Sequence, residues 1–310
     1  MPIHAAVENT NPETKAITRK WLLERVNSCL DDTNARWFAS QLEALSDHSV
    51  PIPARSLDLA FGLVPRRLGK KWFLNTTSDR DTANRYLPGW HPEHWQIDEA
   101  ARILLMSTLG DENFAEHFPR MLRHADLGEQ LALYKGIALY PQSEQMTSQV
   151  AAGLRTDIKG VFEAIAHCNP WPAMMLDEAH WNQMVLKALF INSGLYFMVD
   201  LDRRSNASLA NTLIDYAHER RAAGRTISSE LWRCAVPFTD LTTLTPLLPV
   251  TDMNNQWPAS HEVAGLTIAL QLSNDPELQQ LAQQHAPGFD GISNGDLNWH
   301  TLHAQEYSNP

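Results

Sequence analysis

The chain has 310 residues, with 25 Lys+Arg against 36 Asp+Glu and a formal net charge of −11. Hydrophobic residues make up 44% and charged residues 20%, a composition that buries a core and excludes disorder as the dominant state. An acidic chain with a sequence pI of 5.6 has no global field toward phosphate backbones, so nucleic acid is not an expected partner. The three cysteines, Cys29, Cys168 and Cys234, are widely spaced and form no C-x-x-C. That suits a reduced compartment better than a disulfide scaffold. The opening residues MPIHAAVENTNPETK lack a basic segment followed by an apolar one, so no signal peptide is expected. No uninterrupted apolar run reaches the roughly 18 residues of a membrane span. The nearest, Met184 to Val199, is broken by Lys187, Asn192, Ser193 and Gly194. The expected location is therefore cytoplasmic.

The fold class reads as all-α, because 39 Leu stand against 24 Val plus Ile and Gly is low at 14. In chain order, Ile17, Trp21, Leu22, Val26 and Leu30 recur at three- and four-residue steps and predict a helix over 13–30. A second is expected over 33–46. A shorter one over 55–66 ends near Pro65. Residues 69–94 read as a long irregular segment holding one helical piece, with Trp72 and Trp90 in it and Trp95 just beyond. Helices are then expected over 96–108, 112–124, 127–139, 143–153 and 157–168. The phrase Asn169-Pro170-Trp171-Pro172 ends the last of these. Further helices follow over 178–191, 207–222 and 228–234. Residues 238–258 predict an extended, proline-rich connector, 259–272 and 275–284 predict helices, and the tail from 287 is loosely specified. The expected organisation is one helical domain over 1–310, with HEAT-like α-solenoid pairing left open.

Residues 155–238 combine polar side chains with strongly apolar helices. Lys159, Glu163 and His167 form one stripe at four-residue steps, which reads either as a solvated ion-paired face or as part of a site. The helix over 178–191 is apolar nearly all round, leaving His180, Asn182, Gln183 and Lys187 as its polar side. A lysine on such a helix snorkels, pairs with an acid, or faces a polar cavity where it binds an anion. In Asp200-Leu201-Asp202-Arg203-Arg204-Ser205-Asn206, Ser205 or Asn206 is a natural N-cap for the next helix. The two arginines beside two aspartates read as a fork-type salt-bridge network or as an anion clamp near a helix N-terminus. Farther on, Tyr216 and Arg220 share one side of a helix, and Asp215, His218 and Glu219 share another. Cys234 reads as a buried small hydrophobe with no adjacent base. The residues singled out are Glu163 and His218 as acid–base groups, with Asn182, Gln183, Lys187, Asp202, Arg203, Arg204, Tyr216 and Arg220 as ligand contacts.

His91-Pro92-Glu93-His94 resembles a metal motif only superficially, since an H-x-x-H broken by proline is not a helical ligand pair. No metal and no cofactor are expected. Glycine-rich phosphate loops, G-x-S-x-G and H-E-x-x-H are all absent from the sequence.

Several phrases together carry a family resemblance. They are Arg155-Thr156-Asp157 to Val161-Phe162-Glu163-Ala164-Ile165-Ala166, Asn169-Pro170-Trp171-Pro172, Trp181 through Phe190, Leu201-Asp202-Arg203-Arg204 and Asp215-Tyr216-Ala217-His218-Glu219-Arg220. Upstream, Ala60 through Arg66 and Trp95 through Arg102 add to them. Over roughly 55–240 the chain resembles the EboA family of Ebo secondary-metabolite gene clusters, while 241–310 reads as a less specified helical extension. The resemblance implies a cytoplasmic, helical protein in a small-molecule pathway. Its neighbours there look like a prenyltransferase, a dehydroquinate-synthase-like cyclase, a sugar-phosphate-isomerase-like barrel and a metal-dependent hydrolase. It implies no catalytic residues.

Three readings follow. One is an accessory protein binding a small polar or anionic metabolite in biosynthesis or export. Another is an enzyme acting on an anionic cyclitol, sugar or prenyl-linked intermediate. The third is a helical scaffold for another Ebo-cluster protein, with loop tryptophans as anchors.

Overall fold

The computed structural model describes residues 11–73, 76–251, 260–286 and 297–307, except the side chains of Glu93 and of 305–307. Most of the opening segment, the second half of the 238–258 connector and the start of the C-terminal tail therefore fall outside the described residues. The described residues are all-α: 18 α-helices, five short 3-10 turns and no strand. The chain divides into two compact units. Among the described residues, one comprises those up to Asp177 with Met198–Asp200, and the other Glu178–Phe197 and those from Leu201 onward.

The first unit contains α1 (Pro12–Ser28), α2 (Asp32–Leu45), α3 (Ala54–Leu68), α4 (Thr77–Tyr86) and α5 (Ile97–Thr108). It continues through α6 (Asp111–His124), α7 (Leu127–Lys135), α8 (Thr147–Leu154), α9 (Lys159–Ala166) and α10 (Trp171–Met175). Asn11, Asp31, Thr76 and Asp126 cap four of these by accepting the N–H three residues on. The hub is α5, buried from Ile97 through Ser107 and packed against α1, α2, α3 and α7.

Buried on all sides, α5 nevertheless carries Asp98, Glu99 and Arg102. Each is accounted for by a partner. Glu99 accepts the Gln96 N–H at 2.8 Å, closing a capping box, and pairs with Lys135 at 2.7 Å. Arg102, 3% exposed, pairs with Asp98 at 3.1 Å and donates from Nε to the Phe61 carbonyl at 3.2 Å. That carbonyl is free for a reason. Residue 65 would normally donate to it, but Pro65 has no N–H. The expectation that α3 ends near Pro65 is accordingly corrected: the helix runs on to Leu68, and Arg102 supplies the missing donor.

Other segments differ from expectation for local reasons. Of the irregular 69–94 stretch, α4 is helical, and Trp90 and Trp95 are buried, edge-on to one another with ring centroids 5.0 Å apart. They are core residues, so only Trp72, 58% exposed, remains on the surface as a loop anchor. The 157–168 helix stops at Ala166, because His167 is extended and Cys168 has φ of 51°. His167 thus leaves the Lys159–Glu163 stripe. Asn169-Pro170-Trp171-Pro172 both ends α9 and starts α10, with Pro172 in the first turn, where its missing N–H costs nothing.

The second unit contains α11 (Glu178–Phe190), α12 (Leu201–Arg204), α13 (Ala207–Ala222), α14 (Leu231–Ala235), α15 (Leu241–Leu244), α16 (His261–Gln271), α17 (Pro276–His285) and α18 (Trp299–Tyr307). α13 packs on α14, α14 on α16, and α16 on α17 and α18. The proline-rich connector is not wholly extended, since α15 and a 3-10 turn at Thr245–Leu247 interrupt it. Gly265 lets α16 lie directly on the chain at Ser229, where a Cβ would fall 2.3 Å from the Ser229 carbonyl oxygen.

Two stability outcomes follow. Arg102→Met leaves Asp98 buried without its cation and is expected to cost about 3–5 kcal/mol in urea unfolding. Asp98→Leu/Arg102→Met, which removes both charges, should cost less than that single change. Burial raises the Asp98 carboxyl above its ordinary value and Arg102 pulls it back. Without Arg102, the raised carboxyl protonates more readily in the fold, so the penalty should shrink as pH falls toward the ordinary carboxylate range. Gly265→Ala should lower stability by about 1–3 kcal/mol through overpacking, read as a lowered thermal midpoint.

Candidate functional site

Glu163 lies in the first unit, and the other nine sequence-selected residues lie in the second. Glu163 pairs with Lys159 at 3.6 Å across one helical turn. In the second unit, Asn182 of α11 and Asn206, the N-cap of α13, exchange side-chain hydrogen bonds at 2.9 and 3.2 Å. The Arg204 guanidinium sits 4.8 Å from the Trp181 ring centroid. The structure therefore joins α11 to the start of α13 through Trp181, Asn182, Arg204 and Asn206.

Asp202 also reaches α14. Arg233 of α14, 6% exposed, grips it with two bonds of 2.6 and 2.9 Å. Asp202 thus takes a cation from 31 residues downstream, a partner that the local 200–206 reading did not include. Tyr216 packs against Phe190 with tilted rings 5.4 Å apart and lies under Arg220 at 5.8 Å, while Arg220 donates twice to the Thr226 carbonyl. Phe190 is 69% exposed and Gln183 is also exposed, so α11 is less enclosed than its apolar sequence implies. Lys187 is half-buried and Arg203 exposed. His218 is exposed, two residues and so about 200° around the helix from Tyr216. Tyr216 and His218 thus face opposite sides of α13.

A ligand-sized concavity lies in the first unit, among α6, α7, α8 and α9. It is an open cleft of about 420 Å³, a volume within the usual range of small-molecule pockets. Pro119, Leu122, Ala152, Gly153 and Val161 are its apolar lining. Arg123, Gln130, Tyr134, Ser148, Gln149 and Thr156 are its polar lining. Gly153 makes the wall possible, since a Cβ there would stand 2.6 Å from both Ile165 Cδ1 and Tyr134 Cζ. The Tyr134 hydroxyl donates to the Gln149 carbonyl at 3.2 Å, and burial pushes its pKa up to about 12. It is a neutral wall group rather than a base. No sequence motif marks Arg123, Gln130 or Gln149. Only Thr156 and Val161 lie within a family-like phrase.

This cleft, and α11 through α14, all lie inside the stretch covered by the family described as metabolite traffic protein EboA, which matches residues 14–236. The chain belongs to the EboA family. No curated protein and no solved structure matches it. Among the described residues, no helix is long and apolar enough to cross a membrane. Beyond the family match, α16 and α18 still pack onto the EboA part of the second unit. There Glu230 accepts the Leu195 and Tyr196 N–H groups at 2.6 and 2.9 Å and lies 3.4 Å from His303 of α18.

Cys234 is fully buried, and desolvation pushes its thiol up to about 12. At pH 8 it carries almost no thiolate. In the native protein, Ellman's reagent should therefore leave Cys234 unmodified until denaturant is added, as checked by peptide mass mapping.

Proposed function

We propose that this EboA-family chain is a cytoplasmic accessory protein that binds a small polar or anionic metabolite of a secondary-metabolite pathway, during its biosynthesis or export. The observation that carries this reading is the family match over 14–236, whose description is metabolite traffic. The 420 Å³ cleft supports it by offering room for a small molecule beside polar and apolar lining groups. Lys187, Arg203 and Arg204 in the second unit supply further cationic groups for an anionic ligand.

A scaffold role is the second reading. Its support is the exposed Phe190 lying on buried Tyr216 and half-buried Arg220, a residue composition common at binding hot spots.

Native mass spectrometry of the tagged protein, purified gently from its own host, tests both. The expected result is a bound small mass. A co-purified cluster protein with no small molecule transfers the assignment to the scaffold, and a bare chain defeats both readings. Conversion of a supplied pathway intermediate, lost in His218→Ala, would replace them with an enzyme.

A further inference from the structure

We propose that the cleft among α6, α7, α8 and α9 binds an amphipathic organic anion, an apolar body bearing one anionic head group. The proposal rests on the metabolite-binding reading and adds to it the seat and the ligand class.

The sign of charge comes from Arg123. It is the one ionised side chain lining the cleft, and no carboxylate faces it there. Arg123 lies near the C-terminal end of α6, and its guanidinium makes no hydrogen bond or ion pair among the described residues. This contrasts with Arg102, Arg120, Arg220, Arg221 and Arg233, each committed to a carboxylate or a carbonyl. An uncommitted guanidinium presents a planar fork of donors suited to a carboxylate, sulfonate or phosphate. The chain's net charge of −11 does not draw anions to its surface at large. Selectivity for an anion has to be local, and Arg123 supplies it.

The neutral wall groups point the same way. The Ser148 hydroxyl already donates to Gln149 Oε1 at 2.8 Å, which leaves the Gln149 amide Nε2–H as a second donor. Tyr134 is spent on the Gln149 carbonyl. Gln130 is spent on the Ala125 carbonyl, so the Gln149 amide is the neutral donor left to join Arg123 on an anion. Pro119 and Leu122, on the same helix as Arg123, and Val161 of α9 carry no polar side-chain atom, so they offer contact to an apolar body beside the guanidinium.

Fluorescence titration of the full chain with 8-anilinonaphthalene-1-sulfonate tests this, beside the neutral N-phenyl-1-naphthylamine, which keeps the apolar body and lacks the sulfonate. The sulfonate probe should saturate a single site. Its affinity should fall about tenfold in Arg123→Ala, as for a partly solvated charge-assisted contact, and largely recover in Arg123→Lys. The neutral probe should bind wild type and Arg123→Ala alike, and Arg225→Ala, at an exposed arginine of the second unit, should leave both probes unchanged. Arg123 is exposed, so its substitution should not disturb the fold; an unchanged circular dichroism melt checks this. Unaltered sulfonate binding in Arg123→Ala, loss in Arg225→Ala instead, or no saturable site would overturn the assignment. If native mass spectrometry still finds a bound metabolite in that event, the metabolite-binding reading survives and only this seat and ligand class fall.

Discussion

The first unit is organised around one guanidinium. Arg102 is buried on the central helix, bonded to Asp98 one turn back and to the Phe61 carbonyl of α3. Its guanidinium carbon also lies 5.3 Å from the centre of the Phe61 ring. Burying a cation is costly unless its donors are used. Here the fold needs the cation, because Pro65 would otherwise leave a buried carbonyl with no donor. The proline, the arginine and the aspartate are thus one device distributed over two helices. It pins α3 to α5, the helix against which α1, α2 and α7 also pack.

The candidate cleft depends on that arrangement. α7 packs on α5 on one side and on α9 on the other, so the position of Tyr134 follows from the hub. Asn169, buried just after α9, ties the same region together by donating to the Tyr134 and Ala164 carbonyls at 3.1 and 3.2 Å. Gly153 then lets α8 approach closely enough to complete the wall. A rigid frame of this kind leaves the lining side chains of α6 and α8 as the adjustable part, which is where ligand selectivity is expected to reside.

The second unit uses charge differently. Its polar residues are largely committed to joining elements: Asp202 to Arg233, Arg221 to Glu262 and to the Leu247 carbonyl, and Glu230 to two backbone N–H groups. Glu262 and Gly265 both lie beyond the family match. Yet one ends an ion pair with α13 and the other seats α16 on Ser229. The C-terminal helices are therefore structural members of that unit.

The sequence by itself determined the all-α class, most helix positions and the family. These rest on leucine content, three- and four-residue periodicity and long local phrases, all properties of neighbours along the chain. Local capping was legible for the same reason, as at Asn206. What only the tertiary structure decided is where each charge ends. Periodicity pairs residues three or four apart, as it did for Lys159 and Glu163, but carries no information on Asp202 meeting Arg233 or Arg102 meeting Phe61. Nor could it show that Trp90 and Trp95, in a stretch with little periodicity, are core. Arg123 looks in sequence like any basic residue in a last helical turn. Its distinction, lining a concavity with no acid opposite, arises only when four helices from separate stretches of chain are packed together.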